Sequence, residues 1–211
     1  MLHEIADAVF SVLCHQEAVR CWTPGGNALP FCERCTGVYA GAALALCLAP
    51  LMRFRPGRWA LVVHGFFLVQ MVPFGFHLVP HPATVRTLSG QFFAIGALFF
   101  LWRNLFRRWR LDRADRVGAP AGRRYGFGVA LSLVLLQALV RAPFPFAQGF
   151  LEFLAVLGAA VLCVTAVLTM YDLLSSACPA ACAGPRRRTV RAGPSPPDHP
   201  EANHSSSPDR D

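Results

Sequence analysis

The sequence predicts an all-α integral membrane protein, and three observations support this fold class. Hydrophobic residues make up 54% of the 211 residues and charged residues only 15%, whereas a soluble domain carries about 25% charged residues. The mean hydropathy is positive, at +0.40. The apolar residues are also gathered into long runs, which are typical of helices that cross a lipid bilayer.

Five apolar segments account for these runs: residues 37–52, 59–79, 87–102, 125–142 and 150–174. We therefore expect one bundle of about five transmembrane helices. The first and third segments are short compared with the roughly 20 apolar residues that a spanning helix needs. Those two helices would have to extend into their flanks or lie where the bilayer is thin.

The two ends of the chain differ from this bundle in composition. Residues 1–36 lack the basic start of a cleavable signal peptide, and their first apolar residues fall at helical spacing: Ile5, Val9, Val12 and Leu13. This pattern predicts an amphipathic helix at the membrane surface, followed by a loop that contains Cys and His. Residues 175–211 are rich in Pro, Ser, Arg and acidic residues, so a disordered cytoplasmic tail is expected.

The arginines predict the orientation of the bundle, since all 20 basic residues are Arg. Five crossings place four of them (Arg20, Arg34, Arg86 and Arg141) on the side of the N-terminus and the other sixteen on the side of the C-terminus. Cytoplasmic loops carry the excess of positive charge. A multi-pass protein of the cell membrane is expected, with its N-terminus extracytoplasmic and its C-terminus cytoplasmic. The basic loop at 103–124 fits this topology and contact with anionic lipid better than a nucleic-acid interface.

Four of the eight cysteines crowd the predicted outer segment, in "CHQEAVRCWTPGGNALPFCERC". In one interpretation, Cys14, His15, Cys32 and Cys35 hold a metal ion, most plausibly zinc. A Cys-x-x-Cys pair lets two thiolates reach one ion from a tight turn, and the upstream Cys-His supplies the rest of a tetrahedron. Neighbouring ligands such as Cys14 and His15 are awkward on a helix, where adjacent side chains diverge by roughly 100°.

Two other interpretations use the same thiols without a metal. Cys32 and Cys35 could exchange disulfides, as in a membrane thiol-disulfide oxidoreductase, because Cys35 lies near the N-terminus of a helix, where the dipole stabilises a thiolate. Alternatively, the cysteines form static disulfides that fasten the outer loop. The residues alone leave the three interpretations open.

Further polar residues are expected near the same outer face. The second predicted span runs outward, so His77 and His81 end on the side of the cysteines, and Arg86 begins the third span. Arg86 either binds an anionic headgroup, phosphate or carboxylate, or extends its guanidinium group to the membrane interface. In a transporter, or a metal-dependent hydrolase acting on a lipid-linked or anionic small molecule, Arg86 would hold the anion and a histidine would move protons.

Inside the bundle, small residues and a proline predict how the helices pack. Gly37 and Gly41 favour close approach of the first span to a neighbour, and Pro73 should kink the second span. Polar residues at membrane depth are costly, so four of them are expected to face the bundle interior: His64, Gln70, Gln91 and Gln137.

The stretches "CHQ" (14–16), "LPFCERCTGVYAG" (29–41) and "VRTLSGQFFAIG" (85–96) resemble a family of small prokaryotic multi-pass membrane proteins catalogued as a domain of unknown function. The resemblance covers residues 10–100 and implies no established reaction. It marks these positions: Cys14, His15, Gln16, Arg20, Cys32, Arg34, Cys35, Thr36, Gly37, Tyr39, Gly41, Arg86 and Gly90. The family has Ser in place of Cys21, which implies a Cys-His-Cys-Cys site. It also has Thr in place of Ser89 and more commonly an acid in place of His64.

We therefore expect a membrane protein whose outer Cys/His site binds zinc in a mainly structural role. Gln16, Arg34, Tyr39, His77, His81 and Arg86 are the further candidate site residues. The bilayer is the expected partner, and nucleic acid is not expected to be one.

Overall fold

The computed structural model describes residues 2–14, 20–52, 57–75, 80–108 and 119–177, and this part of the chain is helical with no strand. Short 3₁₀ turns occupy Pro24–Gly26 and Ala49–Met52. The α-helices run as follows: α1, Leu2–Leu13; α2, Glu33–Leu46; α3, Arg58–Val69; α4, Met71–Gly75; α5, Ala83–Arg108; α6, Ala119–Leu139; α7, Pro145–Ala177.

Helix α2 lies at the centre, between α5 and α7, and glycines allow the close packing. A Cβ atom added at Gly37 would lie 2.8 Å from the carbonyl carbon of Thr87 on α5, and one at Gly158 on α7 would lie 2.7 Å from the carbonyl carbon of Tyr39 on α2. Both distances are shorter than side chains tolerate, so only glycine fits. The expected packing role of Gly37 is confirmed, and small residues at such contacts are typical of helices that associate in a membrane.

Helix α1 packs against this bundle through a face that the periodicity did not select. Ala6 and Phe10 are fully buried, whereas Ile5, Val12 and Leu13 are exposed. Ile5, Val12 and Leu13, which predicted an amphipathic helix at the membrane surface, lie outside this contact, whereas Val9 packs against the core. The surface location of α1 stays a prediction. A polar contact also links α1 to α7, where the buried Glu152 places its Oε1 atom 2.9 Å from Nδ1 of His3.

The second predicted span is broken into α3 and α4. Helix α3 ends at Val69, four residues before Pro73. Proline removes one helical hydrogen bond and its ring clashes with the carbonyl four residues earlier, so the expected interruption is confirmed. Gln70 lies at the break and donates to the carbonyl oxygens of Phe67 and Ser89, each at 2.9 Å.

The polar residues that were expected in the interior are largely buried. His64, Gln70 and Gln91 are at most 7% exposed, and Gln137 is half-buried. His64 Nε2 lies 2.6 Å from the hydroxyl oxygen of Tyr125, and Gln91 donates to the carbonyl oxygen of Ser132 at 2.8 Å. These contacts join α3 to α6 and α5 to α6, as interhelical hydrogen bonds do in membranes.

Two helices of the described chain are long and apolar enough to cross a membrane, Ala83–Phe106 in α5 and Phe146–Ser175 in α7. Five spans are not confirmed. The 14-residue α2 is only about 21 Å long, short of a hydrocarbon core of about 30 Å. Helix α6 has 21 residues, but Arg123 and Arg124 lie near its start, which shortens its apolar part. The tail beyond Ala177 lies outside the described residues.

Candidate metal centre

The structure brings three of the predicted ligands together. Cys14 follows the last turn of α1, Cys32 is the residue that precedes α2, and Cys35 lies in the first turn of α2. The sulfur atoms of Cys14, Cys32 and Cys35, called here the thiol cluster, all lie within 4.8 Å of one another. Cys32 and Cys35 share a helix face because residues three apart are neighbours on a helix.

A short excursion of the chain returns Cys32 to the end of α1. Cys21 and Cys32 form an isolated antiparallel bridge, and Leu29 donates its N–H to the carbonyl oxygen of Trp22 at 2.9 Å. Between them the chain reverses at Gly25 and Gly26, whose φ angles are 67° and 94°. Such positive φ angles favour glycine, so the "PGG" sequence fixes the loop that positions the cysteines.

Aromatic packing supports the cluster from below. The ring of Phe10 lies with its centroid 4.7 Å from that of Phe31 and 5.0 Å from that of Tyr39. Phe10 and Phe31 are fully buried. Because these rings come from α1, the loop and α2, the three segments that carry the cysteines share one apolar core.

The electrostatics of the cluster oppose thiolates in the absence of a cation. The backbone N–H of Cys32 donates to the sulfur of Cys14 at 3.3 Å. Hydrogen bonding to Cys14 raises the pKa of the Cys32 thiol, and hydrogen bonds to Cys14 and Cys32, followed by burial, raise the pKa of the Cys35 thiol. Burial and the nearby Cys32 raise the pKa of Cys21 to about 11. A bound cation would reverse this balance, since metal ligation deprotonates a coordinating thiol.

The three sulfurs lie close enough together to hold one metal ion. Thiolates select soft ions such as zinc, and tetrahedral Zn–S bonds of about 2.3 Å place two ligand sulfurs about 3.8 Å apart. The cluster needs only small side-chain rotations to reach that spacing. The fourth predicted ligand, His15, lies outside the described residues, as do Gln16 and His77. No disulfide joins the six cysteines in the part of the chain that the structure describes.

The sequence analysis missed Glu33, which lies between the two cysteines of the Cys-x-x-Cys pair. Its side chain is buried and its Oε2 atom accepts a hydrogen bond from Nη1 of Arg86 at 3.1 Å. Thr87, next along α5, donates to the Glu33 carbonyl oxygen at 3.0 Å and accepts from the Trp22 indole at 2.8 Å. An acid in a predicted outer loop gave no sign of burial, and the motif leaves its position open.

The remaining candidate residues occupy structural contacts. Arg34 donates from Nη2 to the carbonyl oxygen of Phe74, at the end of α4. His81 packs the edge of its ring against Phe74, with ring centroids 5.2 Å apart. Tyr39 packs on Phe10. The structure thus places a buried ion pair beside the thiol cluster, and Arg34 and His81 both contact Phe74.

Part of the chain, including this site, is similar to a described protein family. Residues 14–100 match the family described as "Predicted membrane protein (DUF2085)". The expected resemblance is therefore confirmed for the segment that holds Cys14, Cys32, Cys35 and Arg86, while α6 and α7 lie beyond it. The "Uncharacterized protein MJ1492" of Methanocaldococcus jannaschii is 31% identical over 61 residues, which is 26% of this chain and 39% of that protein. The chain thus matches less than half of the relative's length. No solved structure matches the chain.

Proposed function

We propose that this membrane protein holds one zinc ion in a closed, mainly structural site formed by Cys14, Cys32, Cys35 and His15. The observation that carries the proposal is the convergence of three thiol sulfurs to within 4.8 Å from two separate helices. Zinc with four protein ligands is structural, because no position remains for water or substrate. The ion would fasten α1 to the first turn of α2.

Two observations favour this proposal over thiol-disulfide exchange. A reactive thiol needs a lowered pKa, whereas neighbouring thiols and burial raise the pKa of both Cys32 and Cys35. Three sulfurs also lie close together here, whereas thiol-disulfide exchange requires a pair of cysteines. A thiol-disulfide oxidoreductase remains the alternative that the metal experiment below also tests.

An anion-handling role for Arg86, in a transporter or a metal-dependent hydrolase, receives less support. The guanidinium already has a carboxylate partner in the buried Glu33, whose Oε2 atom accepts from its Nη1 atom. Arg86 is therefore better placed to hold the start of α2 against α5 than to bind a substrate.

Metal analysis of the detergent-purified full chain tests the proposal. About one zinc per chain is expected in the wild type, with loss of zinc in Cys14→Ser, Cys32→Ser and Cys35→Ser. Cys163→Ser serves as the matched control, since Cys163 is exposed on α7, away from the cluster, and should leave the zinc content unchanged. Metal-free wild type in which Cys32 and Cys35 form a disulfide would refute the proposal and favour exchange chemistry.

A separate pair of variants tests the identity of the fourth ligand. His15→Ala is expected to weaken zinc binding strongly, whereas Cys21→Ser should have little effect, because the family has Ser at that position. The opposite result would assign the fourth position to Cys21, which lies across the bridge from Cys32.

We also propose that this site is extracytoplasmic, with the C-terminal tail in the cytoplasm. The support is the distribution of the arginines, most of which fall on the C-terminal side of a five-span arrangement. We expect a thiol reagent that does not cross membranes to label Cys21 in intact cells, once bound metal has been chelated and disulfides have been reduced. If Cys21 is labelled only after the cells are opened, the site faces the cytoplasm and the proposed orientation is wrong.

A further inference from the structure

A second feature of the molecule lies away from the thiol cluster, between α2, the 3₁₀ turn Ala49–Met52 and α6. A groove of about 700 Å³ opens here, a volume typical of ligand sites. Apolar side chains line most of it, among them Leu48, Phe127, Leu131 and Leu135. The last three are about half-exposed or more, so the groove is open along the face of α6.

Charge is confined to one end of this groove. Arg123 and Arg124, near the start of α6, are the two charged residues in its lining. Both are exposed, and no ion pair to either is found within the described ranges. The polar groups of Ser132 are used internally, since its hydroxyl donates to the Val129 carbonyl and its carbonyl accepts from Gln91. The groove therefore offers cationic donors at one end and apolar surface along the rest.

We propose that this groove binds an anionic phospholipid, with its phosphate on Arg123 and Arg124 and an acyl chain along α6. The length agrees with this occupant, because the stretch from Arg124 to Leu135 rises about 16 Å along the helix axis. One leaflet of hydrocarbon is about 15 Å thick. Arginine pairs between helices at the membrane surface are the kind of site that holds anionic headgroups. The proposal does not depend on zinc at the thiol cluster.

Two cysteines of the chain provide an internal reporter. Cys47 lines the groove and is exposed, and Cys163 on α7 is also exposed but does not line it. A lipid seated in the groove should slow the alkylation of Cys47 by a membrane-permeant maleimide and leave that of Cys163 unchanged. Peptide mass spectrometry separates the two positions.

The test uses the full chain reconstituted in vesicles of phosphatidylglycerol or phosphatidylcholine, then analysed by native mass spectrometry for retained lipid. Wild type is expected to retain phosphatidylglycerol on the order of tenfold more than phosphatidylcholine. Arg123→Gln with Arg124→Gln should abolish this preference. Arg58→Gln with Arg103→Gln, which removes the same charge outside the groove, should keep it.

A third variant separates the groove from its charge. Leu131→Trp retains both arginines but fills the apolar part, so retention of phosphatidylglycerol should fall. Each of four results would overturn the proposal. The wild type could retain the two lipids equally, or the two double-arginine variants could lose the preference for phosphatidylglycerol to the same extent. Leu131→Trp could retain as much phosphatidylglycerol as the wild type, or the alkylation of Cys47 could be the same with and without lipid.

Discussion

Substitution of Gly37 by alanine is expected to disturb both the bundle and the metal centre. Gly37 lies two residues after Cys35, where α2 contacts α5. An added Cβ would meet the carbonyl carbon of Thr87 at 2.8 Å and the backbone nitrogen of Gln91 at 2.9 Å, and the Thr87 carbonyl oxygen lies nearer still. These are backbone atoms of a helix, which cannot rotate away.

The magnitude follows from this geometry. Ordinary contact begins near 3.4 Å, so the two helices would have to separate by at least about 0.6 Å at this point. Overpacking of this kind costs about 1–3 kcal/mol, which outweighs the gain of about 0.5–1 kcal/mol that alanine gives in a helix interior. The separation would also stretch the hydrogen bond from Thr87 to the Glu33 carbonyl and the ion pair between Glu33 and Arg86.

Unfolding in detergent, followed by circular dichroism, measures the effect. Gly65→Ala is the matched control, because Gly65 lies within α3 and an added Cβ there meets no atom within 4 Å. Gly37→Ala should be about 1–3 kcal/mol less stable than Gly65→Ala, because the helix-propensity gain of alanine is common to both variants, and it should retain less zinc. Equal stability of the two variants would refute the close approach of α2 and α5.

Three further predictions concern the polar groups. Metal-stripped protein should keep its stability below pH 9 and lose part of it as the pH rises toward 11. Folding raises the pKa of Cys21 from 9.0 to about 11 and also raises the pKa values of Cys32 and Cys35, so the unfolded chain releases these protons first. Cys21→Ser should remove only the Cys21 share of this loss of stability, and the rest should persist. Arg86→Gln should lower the free energy of chemical unfolding by about 2 kcal/mol or more, because it leaves the Glu33 carboxylate buried without its partner. Adding Glu33→Gln should restore part of that free energy. His64→Phe should cost about 1–3 kcal/mol, because it leaves the buried Tyr125 hydroxyl without its acceptor.

Much of this arrangement could be predicted from local sequence. The Cys-x-x-Cys pair, the upstream Cys14 and the glycine at position 37 are short-range signals, and the structure brings the three cysteines together and packs the glycine on α5. The interruption before Pro73 also follows from local chemistry. Each of these predictions needed only the residue types and their spacing along one segment.

The contacts between distant segments could not be predicted in the same way. Glu33 and Arg86 are 53 positions apart, and nothing local marks a charged residue beside a cysteine as buried. The face of α1 that meets the bundle contains Ala6 and Phe10, and hydrophobic periodicity did not mark it, because helices approach most closely at small residues. The number of spans depends on how α2 and α6 lie in the bilayer, and their lengths alone do not determine that.

The thiol cluster and the helix packing reinforce each other. Helices in a membrane gain little from burying apolar surface, since lipid is as apolar as a leucine side chain, and their association depends on close packing and polar contacts. The first turn of α2 is held by Gly37 against α5 and by the Glu33–Arg86 pair, so Cys32 and Cys35 stand on a rigid element. Cys14 directly follows α1, and the buried Phe10 anchors that helix to the bundle. An ion bound by all three binds only the folded arrangement and therefore stabilises it by mass action, with α1 as the element that gains most.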